Sequence, residues 1–154
     1  MEGLREIEVQ GSVQYIVVKF GDEQFGIDIK YIDNIVRMQR ITRVPKVQNF
    51  IKGVINLRGE VIPVVSLRIK MELEEDEITK KTRIIIIRLE NGEVIGMLVD
   101  EVKEVVTLQT SQIEKMAYDS KEDAKTNFIS GVGKDKGELI SLLDMNLVFA
   151  EKEK

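Results

Sequence analysis

The sequence predicts an all-β fold made of two packed, five-stranded β-barrel subdomains, with short helices that include one at the C-terminal end. Three observations carry this prediction. Apolar, β-branched runs of four to eight residues recur along the chain, separated by Gly- and Asn-containing turns. A hairpin pattern occurs twice: Asn49-Phe-Ile-Lys-Gly-Val54 and Asn127-Phe-Ile-Ser-Gly-Val132 agree at five of six positions, 78 residues apart. At that offset Gly59-Glu-Val-Ile-Pro-Val-Val-Ser-Leu67 is matched in pattern by Gly137-Glu-Leu-Ile-Ser-Leu-Leu-Asp-Met145. Each unit is small for independent folding, so the two are expected to pack on each other. The expected boundaries are 10–80 and 81–150.

Taken in order, Val13 to Phe20 reads as a strand, turned by Gly21-Asp22-Glu23 into a second strand from Gln24 to Ile29. Tyr31 to Arg37 suits a helical turn or a bent strand equally. Val44 precedes Pro45 and is pushed out of the α region, which predicts a bend. Phe50 to Leu57 and Val61 to Val65 form the first copy of the hairpin. Gly59 takes a positive φ at its tip, and Arg58 is presented there. Pro63 has no N–H for a ladder, so the return strand is expected to be at an edge or bulged at that point. Ser66 is placed to cap a short helix.

Residues 72–83 are charged and read as a linker. Ile84 to Ile87 is apolar on both faces, which predicts a central strand. Asn91-Gly92 is a hairpin turn between that strand and Glu93 to Asp100, and Val102 to Leu108 follows. Ser111 and Glu114 have capping-box spacing, predicting a helical turn. Glu114 to Asn127 reads as a long polar loop. The second hairpin comes next, and Asp144 caps the last helix at the position equivalent to Ser66.

Composition excludes most catalysis. The chain has no Cys, His or Trp, so disulfides, the usual general base and most transition-metal sites are ruled out. No cofactor or metal is expected. No Gly-rich phosphate loop opens a helix, and Ser66 and Ser141 are explained by a cap and a strand. No apolar run approaches the roughly 20 residues that span a bilayer, and the first residues do not resemble a secretory signal. A binding module remains. Residues 37–70 hold eight Lys or Arg against one acid, Glu60, which raises nucleic acid as an alternative partner. Phe50 is the single aromatic in that stretch and the repeat marks it as core, so no base-stacking platform is present. Protein–protein coupling is the better reading. Met116 and Tyr118 stand out in the polar loop as apolar candidates for contact.

The chain resembles the CheW family, the coupling proteins of bacterial chemotaxis. The likeness runs from Gln14 to Leu147. It rests on Phe50-Ile-Lys-Gly-Val-Ile-Asn-Leu-Arg-Gly with Val61-Ile-Pro-Val-Val, on Gly26-Ile-Asp-Ile and Val44-Pro45, and on Gly96 with Val99-Asp100. The same pattern occurs in the regulatory domain of the histidine kinase CheA and in CheV-type proteins, which carry extra domains for which 154 residues leave no room. The resemblance implies SH3-like barrels and a non-catalytic adaptor that joins chemoreceptor cytoplasmic hairpin tips to CheA, with neither nucleic acid nor membrane insertion. It implies a receptor-facing groove with Ile29, Ile32 and Val99 as apolar wall. Arg58 either touches the receptor or holds the tip. Met38, Arg43 and Val44 are implied for the kinase, and Met116 with Tyr118 for the kinase or another copy. The loop from Glu114 to Asn127 has no match to the family pattern.

Overall fold

The computed structural model describes residues 11–115 and 125–149. Its strands are β1 (Ser12–Phe20), β2 (Glu23–Asp28), β3 (Ile32–Arg37), β4 (Ile51–Leu57), β5 (Glu60–Ser66), β6 (Arg83–Arg88), β7 (Val94–Val99), β8 (Glu101–Gln109), β9 (Glu114–Lys115), β10 (Ile129–Asp135) and β11 (Glu138–Leu143). Two one-turn helices follow β5 and β11: α1 (Leu67–Lys70) and α2 (Met145–Val148). One sheet has the order β8-β1-β2-β11-β10-β9 and the other β3-β6-β7-β5-β4. Each sheet therefore takes strands from both sides of residue 80: the β1–β2 hairpin pairs with late strands and the β6–β7 hairpin with early ones.

The repeat is obeyed down to single residues. Val64 pairs with Gly96 in the parallel β5–β7 ladder, and Leu142 pairs with Gly26 in the parallel β11–β2 ladder. The β4–β5 register slips between Ile51 and Gly53, and that of β10–β11 slips between Ile129 and Gly131, 78 residues on. Both hairpins close on two residues of positive φ, Arg58-Gly59 (54° and 86°) and Lys136-Gly137 (53° and 81°). That is the turn whose twist matches the strands it joins. Both helices are capped as expected. Ser66 Oγ accepts from the Ile69 N–H, and the Asp144 carboxylate accepts from the N–H groups of Asn146 and Leu147.

Burial falls into three clusters because the inner strands are apolar on both faces. Ile84 and Ile86 point into a core with Ile55, Ile62, Val64 and Leu98. Ile85 and Ile87 point the other way, into a central layer with Phe25, Ile27, Leu67, Met97 and Val148. A third core holds Tyr15, Val17, Val106, Leu108, Ile140 and Leu142. It is the repeat counterpart of the first, since Ile62 and Val64 map onto Ile140 and Leu142. β6 lies between β3 and β7, as its apolar run predicts.

Two fasteners hold the middle. Asp100, between β7 and β8, takes Arg68 Nε at 3.0 Å and Nη2 at 2.6 Å, and also the Gly21 N–H at 2.7 Å. Burial pushes the Asp100 carboxyl up, but the Arg68 and Gly21 hydrogen bonds and the Arg68 charge outweigh it and hold its pKa below the ordinary carboxylate value. Lys70 Nζ lies over the rings of Phe50, Phe128 and Phe149 at 4.5, 5.7 and 5.6 Å and donates to the Val148 carbonyl. The charged linker is tied down as well: Ser66 Oγ donates to Asp76, and Arg68 Nη1 donates to the Glu74 carbonyl.

Two local expectations are met in detail and a third is overturned. Tyr31 closes a 3-10 turn, Ile29–Tyr31, and the bent strand starts at Ile32 with a register shift between Ile32 and Asn34. Both alternatives for that stretch are thus realised in succession. β5 is an inner strand, yet its ladder to β7 begins only at Val64, so at Pro63 it is paired on one side. The bulge lies in β4 rather than at the proline. Ser111 caps no helix among the described residues. The turn runs over Thr110–Gln112 without a side-chain cap, and Glu114 is used in β9. The backbone pairing of β9 with β10 decides the path of this stretch over the capping-box spacing.

Candidate partner-binding surfaces

The first surface is the β4–β5 tip. Asn56 Oδ1 accepts from the Gly59 N–H at 3.2 Å and so braces the turn. Leu57 packs back on the core of the five-stranded sheet. Arg58 is exposed, and its side chain makes no hydrogen bond or ion pair among the described residues. Of the two roles open to Arg58, bracing the tip therefore belongs to Asn56, and the guanidinium is left pointing at solvent. The equivalent of Asn56 in the second hairpin is Lys134, which has no acceptor to offer.

The second surface is the crossover from β2 to β3. Asp28 caps the short turn there by accepting from the Lys30 N–H at 3.0 Å, and Lys30 Nζ lies 5.2 Å from the Tyr31 ring centre. Ile29 opens this turn and Ile32 follows it; both are half-buried, with Ile32 packed on the central layer. Val99 does not join them as a wall. It is 1% exposed, a member of the central core. It pairs with Arg83, which pairs with Arg37 at the opposite end of β3 from Ile32. Its burial follows from β7 being an inner strand covered on both faces. Ile32 and the Arg58 tip, by contrast, lie towards the same end of the five-stranded sheet, because β3 begins where β4 ends.

The third surface is the irregular segment between β3 and β4. Met38 is half-buried against the core of the five-stranded sheet. Thr42 exchanges two backbone hydrogen bonds of 2.8 Å with Val54, bringing the chain from one edge of that sheet onto the other. Beyond this clamp the chain stands out as a hook. Arg43 is exposed, and Val44 and Val47 are each 39% exposed on either side of Pro45. Lys46 has φ 63°, a conformation side chains seldom adopt. Met38, Arg43 and Val44 are thus brought onto one connected segment. Met116 and Tyr118 lie outside the described residues.

Among the exposed apolar residues missed by the sequence reasoning are Val47, Val61 at 67%, Val105 and Leu139 at 62%. Val61 and Leu139 are repeat equivalents, so alternation along β5 and β11 held the signal for both. Leu139 lines an open groove of about 530 Å³ with Gln112, Glu114, Val132 and Lys134. Among the described residues no three His, Cys, Asp or Glu come together to hold a metal, and no helix is long and apolar enough to cross a membrane.

Comparison with known proteins agrees with this geometry. Residues 14–153 match the CheW-like domain. The chain is 38% identical over 141 residues to "Chemotaxis protein CheW" of Bacillus subtilis (strain 168), covering 92% of this chain and 89% of that one. It is 33% identical over 150 residues to the protein of the same name from Thermotoga maritima, covering 97% and 92%. The crystal structure of the scaffolding protein TtCheW from Thermoanaerobacter tengcongensis superposes with a TM-score of 0.82 at 30% identity, covering 92% of this chain and 95% of that one. With its duplicated all-β fold, the chain belongs to the CheW family of chemotaxis scaffolding and adaptor proteins.

Proposed function

We propose that this protein couples the histidine kinase CheA to the cytoplasmic hairpin tips of chemoreceptors, so that receptor state controls kinase activity. It performs no chemistry itself and acts in the cytoplasm, recruited to receptor arrays at the membrane. Its two sequence repeats, 10–80 and 81–150, each contribute strands to both sheets. The single observation that carries the reading is the presence, on one CheW-family body, of two different exposed devices: the braced tip with an exposed Arg58, and the clamped hook from Met38 to Val47.

A receptor helix docks by apolar anchors laid along a groove. Ile29 and Ile32 offer such anchors, Val99 backs the central layer from inside, and Arg58 supplies the polar contact at the same end of the sheet. Met38, Arg43 and Val44 face the kinase regulatory domain, with Met116 and Tyr118 as a further contact to it or to another copy. The test is a pull-down with Arg58→Glu. Charge reversal at an exposed tip leaves stability within about 0.5 kcal/mol of the parent. Receptor capture is expected to fall at least tenfold while kinase capture persists. Receptor capture equal to that of the parent removes Arg58 from the interface.

A further inference from the structure

The duplication provides an internal control for what the hook recognises. Thr42 clamps to Val54 in the first unit, and Glu114 pairs with Val132 at the equivalent place in the second. The backbone pairing at the clamp is kept and the charge of the surrounding sequence is not. Residues 37–52 contain Arg37, Arg40, Arg43, Lys46 and Lys52 and no acid. The equivalent residues 107–130 contain three Lys and four acids. The basic set sits on a chain of formal net charge −4, so it is a local feature and not a reflection of overall composition. Arg37, Arg40, Arg43 and Lys46 are exposed, and among the described residues none of the five forms an ion pair. In the acidic run 72–77 the Asp76 carboxylate accepts from Ser66, and the Glu74 backbone carbonyl accepts from Arg68.

We infer that the 37–52 hook docks on an acidic protein surface with a small apolar centre: its cations steer the encounter and Val44 and Val47 seat in the centre. This rests on the reading that the hook faces the kinase, and it adds the chemistry the kinase surface must present there. Free cations around an apolar pair raise the rate of encounter with an opposite charge by about 10-fold to 1,000-fold, and added salt removes the gain. The neutral-to-acidic equivalent in the second unit does not fit that surface. Two copies of one repeat thus take different partners through charge.

The experiment measures association and dissociation rates between the full chain and full-length kinase from 50 to 500 mM NaCl. The parent association rate is expected to fall about tenfold or more across that range while dissociation changes little. Arg40→Glu with Arg43→Glu slows association at 50 mM by at least about tenfold and flattens the salt dependence. Arg40→Lys with Arg43→Lys stays within about threefold of the parent, because charge and not fork geometry is being read. Thermal melts of both double variants confirm folding. An association rate that changes less than about twofold with salt, or an unaffected charge reversal, overturns the inference while leaving kinase docking intact. Absence of any kinase complex overturns the docking reading and the inference with it. Binding of a single-stranded RNA oligonucleotide or of phosphatidylserine vesicles as tightly as kinase also overturns it. So does a salt-reversible dimer of the chain that the Glu double variant abolishes, since the occupant is then a second copy.

Discussion

Gly53→Ala removes no side chain, yet it is predicted to loosen the hook. Gly53 has φ 144°, and a methyl added there would lie 2.2 Å from the Thr42 carbonyl oxygen and 2.8 Å from Ile41 Cγ2. An ordinary carbon–oxygen approach is roughly 3.3 Å, so the Thr42 carbonyl has to withdraw by about 1 Å. That withdrawal breaks both Thr42–Val54 hydrogen bonds, each contributing about 1 kcal/mol. Holding alanine at positive φ adds about 1 kcal/mol of strain. The sum is about 3 kcal/mol, which for a chain of this size lowers the melting temperature by roughly 6 to 12 °C. Amide exchange at Thr42 and Val54 is expected to quicken first, and kinase binding to weaken with it. Gly59→Ala is the control. A methyl there meets nothing within 4 Å although φ is 86°, so only the strain of about 1 kcal/mol remains. A Gly53→Ala variant that melts within about 2 °C of the parent, with Thr42 and Val54 still protected, refutes the clamp.

Other perturbations act on the fasteners between the two halves. Asp100→Asn is expected to lower stability at pH 7 and to flatten its loss in acid. The depressed carboxyl contributes stability that is fully present above the ordinary value of about 3.9 and is lost as pH falls through the lower folded value; equal slopes in urea unfolding between pH 5 and 2 contradict this. Lys70→Ala is expected to cost about 2 kcal/mol by removing an ammonium shared among three rings. Its first sign is faster exchange in α2, whose Val148 carbonyl loses its donor, and an unchanged denaturation midpoint would rule out the fastener.

Much of this fold was legible because the chain states it twice. Phe50 and Phe128, Gly53 and Gly131, Ser66 and Asp144 sit at fixed offsets, and the registers keep those offsets. The exchange of hairpins was not legible. Val17 and Val18 are both buried, on opposite faces of β1, and that pattern is the same whether a hairpin pairs with its own half or with the other. Arg58 was legible at the surface because a two-residue turn of positive φ must project its side chains outward. Val99 was not: an apolar residue at a strand end reads alike as groove wall or as core, and only the covering of β7 on both faces decides it. Ser111 shows a local signal overridden by tertiary pairing, since the strand formed by Glu114 and Lys115 takes the residue that the capping box needed.

The coupling role is tested most directly by co-sedimenting the full chain with receptor signalling fragments and full-length CheA, mixed pairwise and together. The expected result is one ternary complex in which the chain raises the amount of kinase held by receptor, with Arg58→Glu releasing receptor and the Arg40→Glu, Arg43→Glu pair releasing kinase. Receptor and kinase that displace each other from the chain, or an amount of receptor-held kinase that is the same with and without it, rule out coupling.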